Sequence, residues 1–173
     1  MLKVLVKRAG EFKLKISIGY LPSPLGLIKI AGQDDSIVSV EFVSHKDEKE
    51  LISPVVKEAI LQLEEYFEGK KTTFELKLQL QGTEFQKRVW NELIKVPFRS
   101  VISYRELAEK VGKPQGARAV GNAVGKNPAV IIVPCHRVVK SDLSLGGFSG
   151  GLEKKIWLLS HEGWKIENGL LRK

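Results

Sequence analysis

The sequence predicts an α+β protein in two parts: a small antiparallel sheet with one helix, then a mostly helical half built around a helix-turn-helix. Three observations predict it. Apolar and polar residues alternate through three separate stretches between residues 12 and 80. At Gly82 the period changes from two to 3.6, and from there capped helices follow one another at short spacing.

In EFKLKISIGY, Phe12, Leu14, Ile16 and Ile18 alternate with polar residues, the period of a strand with one buried face. LGLIKIAGQDDSIVSVEFV reads as two further strands joined by a turn at Gly32 to Ser36. Phe74, Leu76, Leu78 and Leu80 of TTFELKLQLQ alternate once more. Before that run, SPVVKEAILQLEEYFEGK has a helical pattern. Ser53 is its N-cap, and Pro54 sits where its missing N–H costs nothing. Val56, Ala59, Ile60, Leu63 and Phe67 share a face, and Gly69 closes the helix. Nothing in this half has a catalytic pattern.

In the second half, Thr83 and Gln86 occupy capping-box positions ahead of Phe85, Val89, Trp90, Leu93 and Ile94, and Pro97 stops that helix. Ser103 and Glu106 repeat the device in SYRELAEKVG, which Gly112 ends. After the turn KPQ, GARAVGNAVG forms a helix of very small residues, completing the helix-turn-helix outline. AVIIV reads as a strand that must stop pairing at Pro134. GLEKKIWLLSHEG reads as a final amphipathic helix with Leu152, Ile156 and Leu159 inward and Glu162 as a solvated charge beside the terminating Gly163. The domain boundary is placed at Gly82, giving domains 1–82 and 83–173.

Composition narrows the function. A single cysteine cannot form an internal disulfide, MLKVLVKRAGEFKLK lacks the apolar stretch of a secretory signal, and no apolar run nears the roughly 20 residues of a membrane helix. A soluble cytoplasmic monomer is expected (nuclear in a eukaryote), without membrane association. One Cys and three scattered His offer no metal-ligand spacing, so no metal and no cofactor are expected. Twelve Lys+Arg balance twelve Asp+Glu in residues 1–83, whereas residues 84–173 carry sixteen against eight, the whole of the net charge of +8. A polyanion suits such a half, because neutralising phosphates releases condensed counterions.

The small-residue helix has two explanations. Gly116, Ala117, Ala119, Gly121, Ala123 and Gly125 allow another surface close to the backbone, either a neighbouring helix or a nucleic-acid groove. Arg118 is the one long side chain near its N-terminal end. The only thiol, Cys135, follows Pro134 and precedes His136 and Arg137. A lone cysteine is more often a small buried hydrophobe than a nucleophile, but cationic neighbours favour the thiolate and a strand end favours access.

VPCHRVV, preceded by ISYRELA and ARAVGNAVGKNP and followed by GGFSGG and HEGW, resembles the O6-alkylguanine-DNA alkyltransferases, repair proteins that accept the alkyl group on their own cysteine. The likeness covers roughly residues 83–165, and SPLG at residues 23–26 resembles the family's N-terminal hairpin. It implies a ribonuclease H-like N-terminal domain and a winged-helix-like C-terminal one, acting on double-stranded DNA that contains O6-alkylguanine. Cys135 would be nucleophile and permanent acceptor, with His136, oriented by Glu162, drawing off its proton through a water. Tyr104 would donate to the departing guanine and touch the DNA, and Asn127 would brace the recognition helix against the active-site strand. Arg118 would fill the space of the flipped base, with Ala117, Ala119, Gly121 and Arg137 also on the DNA side. Val138, Ser149, Phe148, Val130 and Gly150 would form the guanine pocket.

The chain departs from the family pattern in places. Phe148 stands where many members have tyrosine, Val130 replaces a proline of some relatives, and the zinc ligands of some N-terminal domains are missing. The main rival is a helix-turn-helix protein that binds DNA without chemistry, either a regulator or a lesion-flagging relative. Cys135 discriminates, since flagging relatives replace it. A cysteine hydrolase would need an oxyanion hole and no basic half.

Overall fold

The structure, a computed structural model, describes residues 15–173. Phe12 and Leu14, expected in the first strand, lie outside the described residues. Strands β1 (Ile16–Ser23), β2 (Gly26–Gln33) and β3 (Ser36–Val43) form an antiparallel sheet in sequence order. Ser23 closes the first turn: its hydroxyl donates to the Gly26 carbonyl at 2.7 Å and accepts the Leu25 N–H at 3.1 Å. Helix α1 (Pro54–Phe67) starts at the Ser53 cap and packs on this sheet. Gly19 and Gly32 permit the contact, because a Cβ at either would come within 2.8 Å of a Val56 methyl.

Residues 74–80 do not form the expected strand. They meet β3 only at Ile37, through Ile37 N–H to the Lys77 carbonyl at 2.8 Å and Gln79 N–H to the Ile37 carbonyl at 2.9 Å. The alternation reflects burial without a ladder: Phe74, Leu76, Leu78 and Leu80 pack partly against the core.

The C-terminal half comprises α2 (Glu84–Ile94), β4 (Ile102–Ser103), α3 (Tyr104–Lys110), α4 (Ala117–Gly125), β5 (Val138–Val139), α5 (Leu152–His161), β6 (Lys165–Glu167) and β7 (Leu170–Arg172). Both expected capping boxes are present, at Thr83/Gln86 and Ser103/Glu106. Helices α2, α3 and α4 pack together, and Trp90 Nε1 donates to the Ala123 carbonyl at 2.9 Å. One core runs through both halves, from Ile28, Ile30 and Leu63 to Trp90, Val124, Val133 and Leu158. A smaller core of Val139, Leu145, Leu159 and Leu171 sits under the unanticipated β6–β7 hairpin, whose turn residues Asn168 and Gly169 have φ of 51° and 76°.

Two further expectations are corrected. AVIIV is not a strand: Ala129 bridges Val40 of β3, then the chain turns sharply with Ile131 at φ 72°. Asn127 accounts for the turn, accepting the Ala129 N–H at 2.9 Å and donating Nδ2–H to the Val133 carbonyl at 2.8 Å, so that side-chain bonds stand in for a ladder. In α5, Leu152 is 47% exposed, and Lys155 takes the inward position beside Leu158 and Leu159.

Candidate active site and the exposed helix

Cys135 does not end a strand; it opens a 3₁₀ turn, Cys135–Arg137, which leads straight into β5. β5 pairs in parallel with β4, Ile102 opposite Val138 and Ser103 opposite Val139. Ser103 is also the N-cap of α3, so this short pairing brings Tyr104, the first residue of that helix, to the thiol. A cavity of about 190 Å³ results, lined by Tyr104, Gly121, Val124, Cys135, Phe148 and Ser149 among others. Gly121 and Gly146 flank the Tyr104 ring. A Cβ on Gly146, whose φ is 67°, would lie 3.0 Å from the Tyr104 hydroxyl. Val138, Val130 and Gly150, expected in the pocket, are not among its lining residues. Val138 and Val130 are buried in the core behind the turn, and Gly150 is pressed against Phe148 and Phe42.

Behind the thiol lies a fully buried carboxylate. Glu162, a solvated charge by local pattern but the partner of His136 by the resemblance, accepts four side-chain donors: His136 Nε2 at 2.7 Å, Tyr66 Oη–H at 2.9 Å, and Arg137 through Nε at 2.9 Å and Nη2 at 2.9 Å. Arg137 therefore does not face DNA. It is buried, its guanidinium committed to Glu162 and, through Nη1, to the Val96 carbonyl at 2.6 Å. A carboxylate can only accept, so the His136 proton is on Nε2 and the lone pair is on Nδ1, which is buried and has no hydrogen-bond partner among the described residues.

Burial sets the protonation states. It pushes the Cys135 thiol up, opposed by the Asn127 amide and the Lys155 charge, so the thiolate that adjacent cations were expected to favour is not the resting form. It pushes His136 down, with Glu162 opposing, which leaves a neutral imidazole. Tyr104 is raised by burial first, and by Cys135 whenever its sulfur is ionised, and keeps its proton. For Glu162, burial acts upward, but the hydrogen bonds from His136 and then Arg137, with the Arg137 charge, outweigh it and bring the carboxyl to about 2.

Lys155, which the residue pattern did not single out, is fully buried, and burial lowers it to about 8. Its ammonium donates to the Val138 carbonyl at 2.6 Å, to that of Gly147 at 3.1 Å, and to that of Leu145. It thus joins the residues after the thiol to the loop that carries Phe148 and Ser149. The spacing held a signal: Lys155 shares a helical face with Leu158 and Leu159. Tyr66 also went unnoticed, and no local pattern could reveal a partner 96 residues away.

Both explanations of the small-residue helix α4 have support, on different faces. Gly121 and Ala123 give the close approach to Tyr104 and Trp90, while Ala117, Arg118 and Ala119 lie exposed on the surface. Arg118 is exposed on the outer face, and the cavity that holds the thiol opens at the helix's flank. Fold and site together define a helix-turn-helix protein with a cysteine reaction centre.

Comparison with known proteins narrows the class. Residues 84–164 match the family described as "6-O-methylguanine DNA methyltransferase, DNA binding domain", and residues 16–80 match its "ribonuclease-like domain". A methylated-DNA–protein-cysteine methyltransferase of Methanosarcina barkeri is 41% identical over 158 residues, 88% of this chain and 97% of the relative; one of Mycobacterium leprae is 40% identical over 155 residues, 87% and 94%. The crystal structure of Mycobacterium tuberculosis O6-methylguanine methyltransferase superposes with a TM-score of 0.78 at 37% identity, covering 86% of this chain and 93% of that one. A structure of OGT from the same organism in complex with DNA gives 0.77 at 38% identity, covering 84% and 92%. The chain belongs to the methylated-DNA–protein-cysteine methyltransferase family.

Among the described residues no helix is long and apolar enough to cross a membrane, and no group of three His, Cys, Asp or Glu is placed to hold a metal ion.

Proposed function

We propose that this protein repairs duplex DNA by moving the alkyl group from O6 of guanine onto the sulfur of Cys135, once per molecule. The observation that carries the reading is the thiol in the wall of a cavity beside an exposed basic helix, with a neutral histidine held by a buried carboxylate behind it. A volume of about 190 Å³ is small beside the roughly 300–1,000 Å³ of drug-sized sites and in scale with one planar base. The base must leave the stack to enter, at a cost of a few kcal/mol. Arg118 takes its place, and Ala117 and Ala119 let the helix sit close in the minor groove.

His136 Nδ1 receives the thiol proton through a water as sulfur attacks the alkyl carbon. The carbon–O6 bond breaks as the sulfur–carbon bond forms, and Tyr104 supplies a proton or hydrogen bond to the guanine ring. The proton on His136 then returns through solvent to any Tyr104 oxygen that gave one up, so that in the balance the thiol's hydrogen replaces the alkyl group on the restored guanine, and the thioether has no easy route back. Asn127 keeps the turn that presents Cys135, while Phe148 and Ser149 hold the base. We place the domain division at Gly82, with residues 83–173 carrying this chemistry. A reducing intracellular setting keeps Cys135 free.

The test is to incubate the protein with a duplex bearing O6-methylguanine and to analyse its peptides by mass spectrometry. One methyl on the Cys135 peptide, never exceeding one per protein, is expected. Sustained turnover or an unmodified cysteine would overturn the reading in favour of a hydrolase or a non-enzymatic DNA binder.

A further inference from the structure

We infer that Tyr66, on helix α1 of the N-terminal half, is a positioning residue for the reaction: its hydroxyl hydrogen bond to Glu162 sets how strongly that carboxylate holds the His136 proton. The inference rests on the function proposed above and deepens it, since it makes the first half of the chain part of the proton relay.

The geometry is specific. Tyr66 Oη donates to Glu162 Oε1 at 2.9 Å, and that same oxygen faces His136 Nε2 at 2.7 Å and Arg137 Nη2 at 2.9 Å. Tyr66 is fully buried, and its ring is fixed by Phe74 and Phe98 at centroid distances of 5.6 and 6.3 Å. His161, from α5, holds the backbone end of the same residue through Nε2 and the Tyr66 carbonyl at 2.7 Å. The hydroxyl is thus aimed by packing, and it competes with imidazole for one lone-pair-bearing atom. Burial and the Glu162 charge both disfavour the phenolate, so Tyr66 is a donor throughout the working pH range.

Removing that donor leaves the carboxylate less satisfied and therefore more basic, which strengthens its pull on the imidazolium and raises the pH at which His136 loses its second proton. The other groups facing this pair are Arg137 from the 3₁₀ turn and Lys155 from α5, both cationic and opposing protonation of His136, the backbone N–H of Arg99, which donates to Glu162 at 3.4 Å, and the Cys135 thiol in front. None of them changes charge when Tyr66 is changed, so the shift originates at the hydrogen bonds of Glu162.

The experiment measures the single-turnover rate of methyl transfer from an O6-methylguanine duplex, with full-length protein, across pH 5–9. Tyr66→Phe keeps the ring and loses only the hydroxyl. Its acid limb is expected to move up by about one unit, so that the rate falls about tenfold below the limb and returns to the wild-type value above it. A merely structural role would lower the rate evenly at all pH values, leaving the limb in place, and that result overturns the inference, as does a limb that moves down. Should Tyr66→Phe not fold, a ring-fluorinated tyrosine at the same position, a stronger donor, is expected to shift the limb downward; an unmoved limb there has the same overturning force. If the wild-type protein itself transfers no methyl to Cys135, the proposed function fails, and the ¹⁵N titration of His136 in the two proteins still decides whether Tyr66 sets its protonation.

Discussion

Cys135 is a thiol that burial keeps protonated, and its proposed reactivity therefore depends on His136 taking the proton as sulfur attacks rather than on a standing thiolate. Two predictions belong at this scale. Cys135→Ser is expected to abolish alkyl transfer while leaving DNA affinity within about twofold, as read by anisotropy on unmodified duplex, because oxygen is far less nucleophilic in the same place. Glu162→Gln leaves the Arg137 guanidinium buried without its counter-charge, a change that typically costs about 3–5 kcal/mol, and the melting temperature reads it. The sign with pH is fixed as well. The Glu162 carboxyl lies near 2 in the folded protein and higher when unfolded, so the unfolded chain binds more protons in between. Its stabilisation is full above the unfolded value and fades as pH falls toward 2; denaturant melts of Glu162→Gln should show a flatter decline over that window. Of these residues, Cys135 and His136 were singled out in the sequence through adjacency, and the structure sets them on one 3₁₀ turn. Arg137 was misread for the same reason, since its long side chain runs inward and meets that of His136 on a carboxylate 25 residues on.

Helix α4 divides its duties between faces, with Val120, Ala123 and Val124 inside and Ala117, Arg118 and Ala119 outside. Arg118→Ala is accordingly expected to slow repair of duplex DNA at least tenfold more than reaction with the free alkylated base, and equal losses would remove the flipping role. Gly146→Ala tests the pocket wall: with φ at 67° and a new methyl 3.0 Å from the Tyr104 hydroxyl, it should lower the transfer rate without abolishing DNA binding. At the level of elements, caps and periods were readable because they are local, and both capping boxes and the Ser53 cap are where the spacing puts them. The two failures were apolar runs. Residues 74–80 and 129–133 have strand-like composition, but their backbone partners are single bridges and an asparagine side chain, which no short window contains. The β6–β7 hairpin was legible in Asn168–Gly169, a turn pair well suited to such a loop, and was overlooked.

Across the whole molecule, one core joins the two halves, and Tyr66 carries a hydrogen bond from the first half into the relay of the second. A methyl added to Cys135 therefore enters a packed region. Overpacking of that kind costs about 1–3 kcal/mol, and the alkylated protein is expected to melt several degrees lower; identical melting curves before and after reaction would contradict this. The shared core also means that the change of period at Gly82, plain in the sequence, marks a change of local structure more than a break in packing. Lys155 has a consequence of a different kind. An amine held near 8 only by its burial beneath the loop that bears Phe148 and Ser149 is a poor target for acylating reagents while the loop is seated, and an ordinary exposed lysine whenever it lifts. Timed acetylation of that single side chain would act as a clock, counting how often the protein opens before and after it has taken up its methyl.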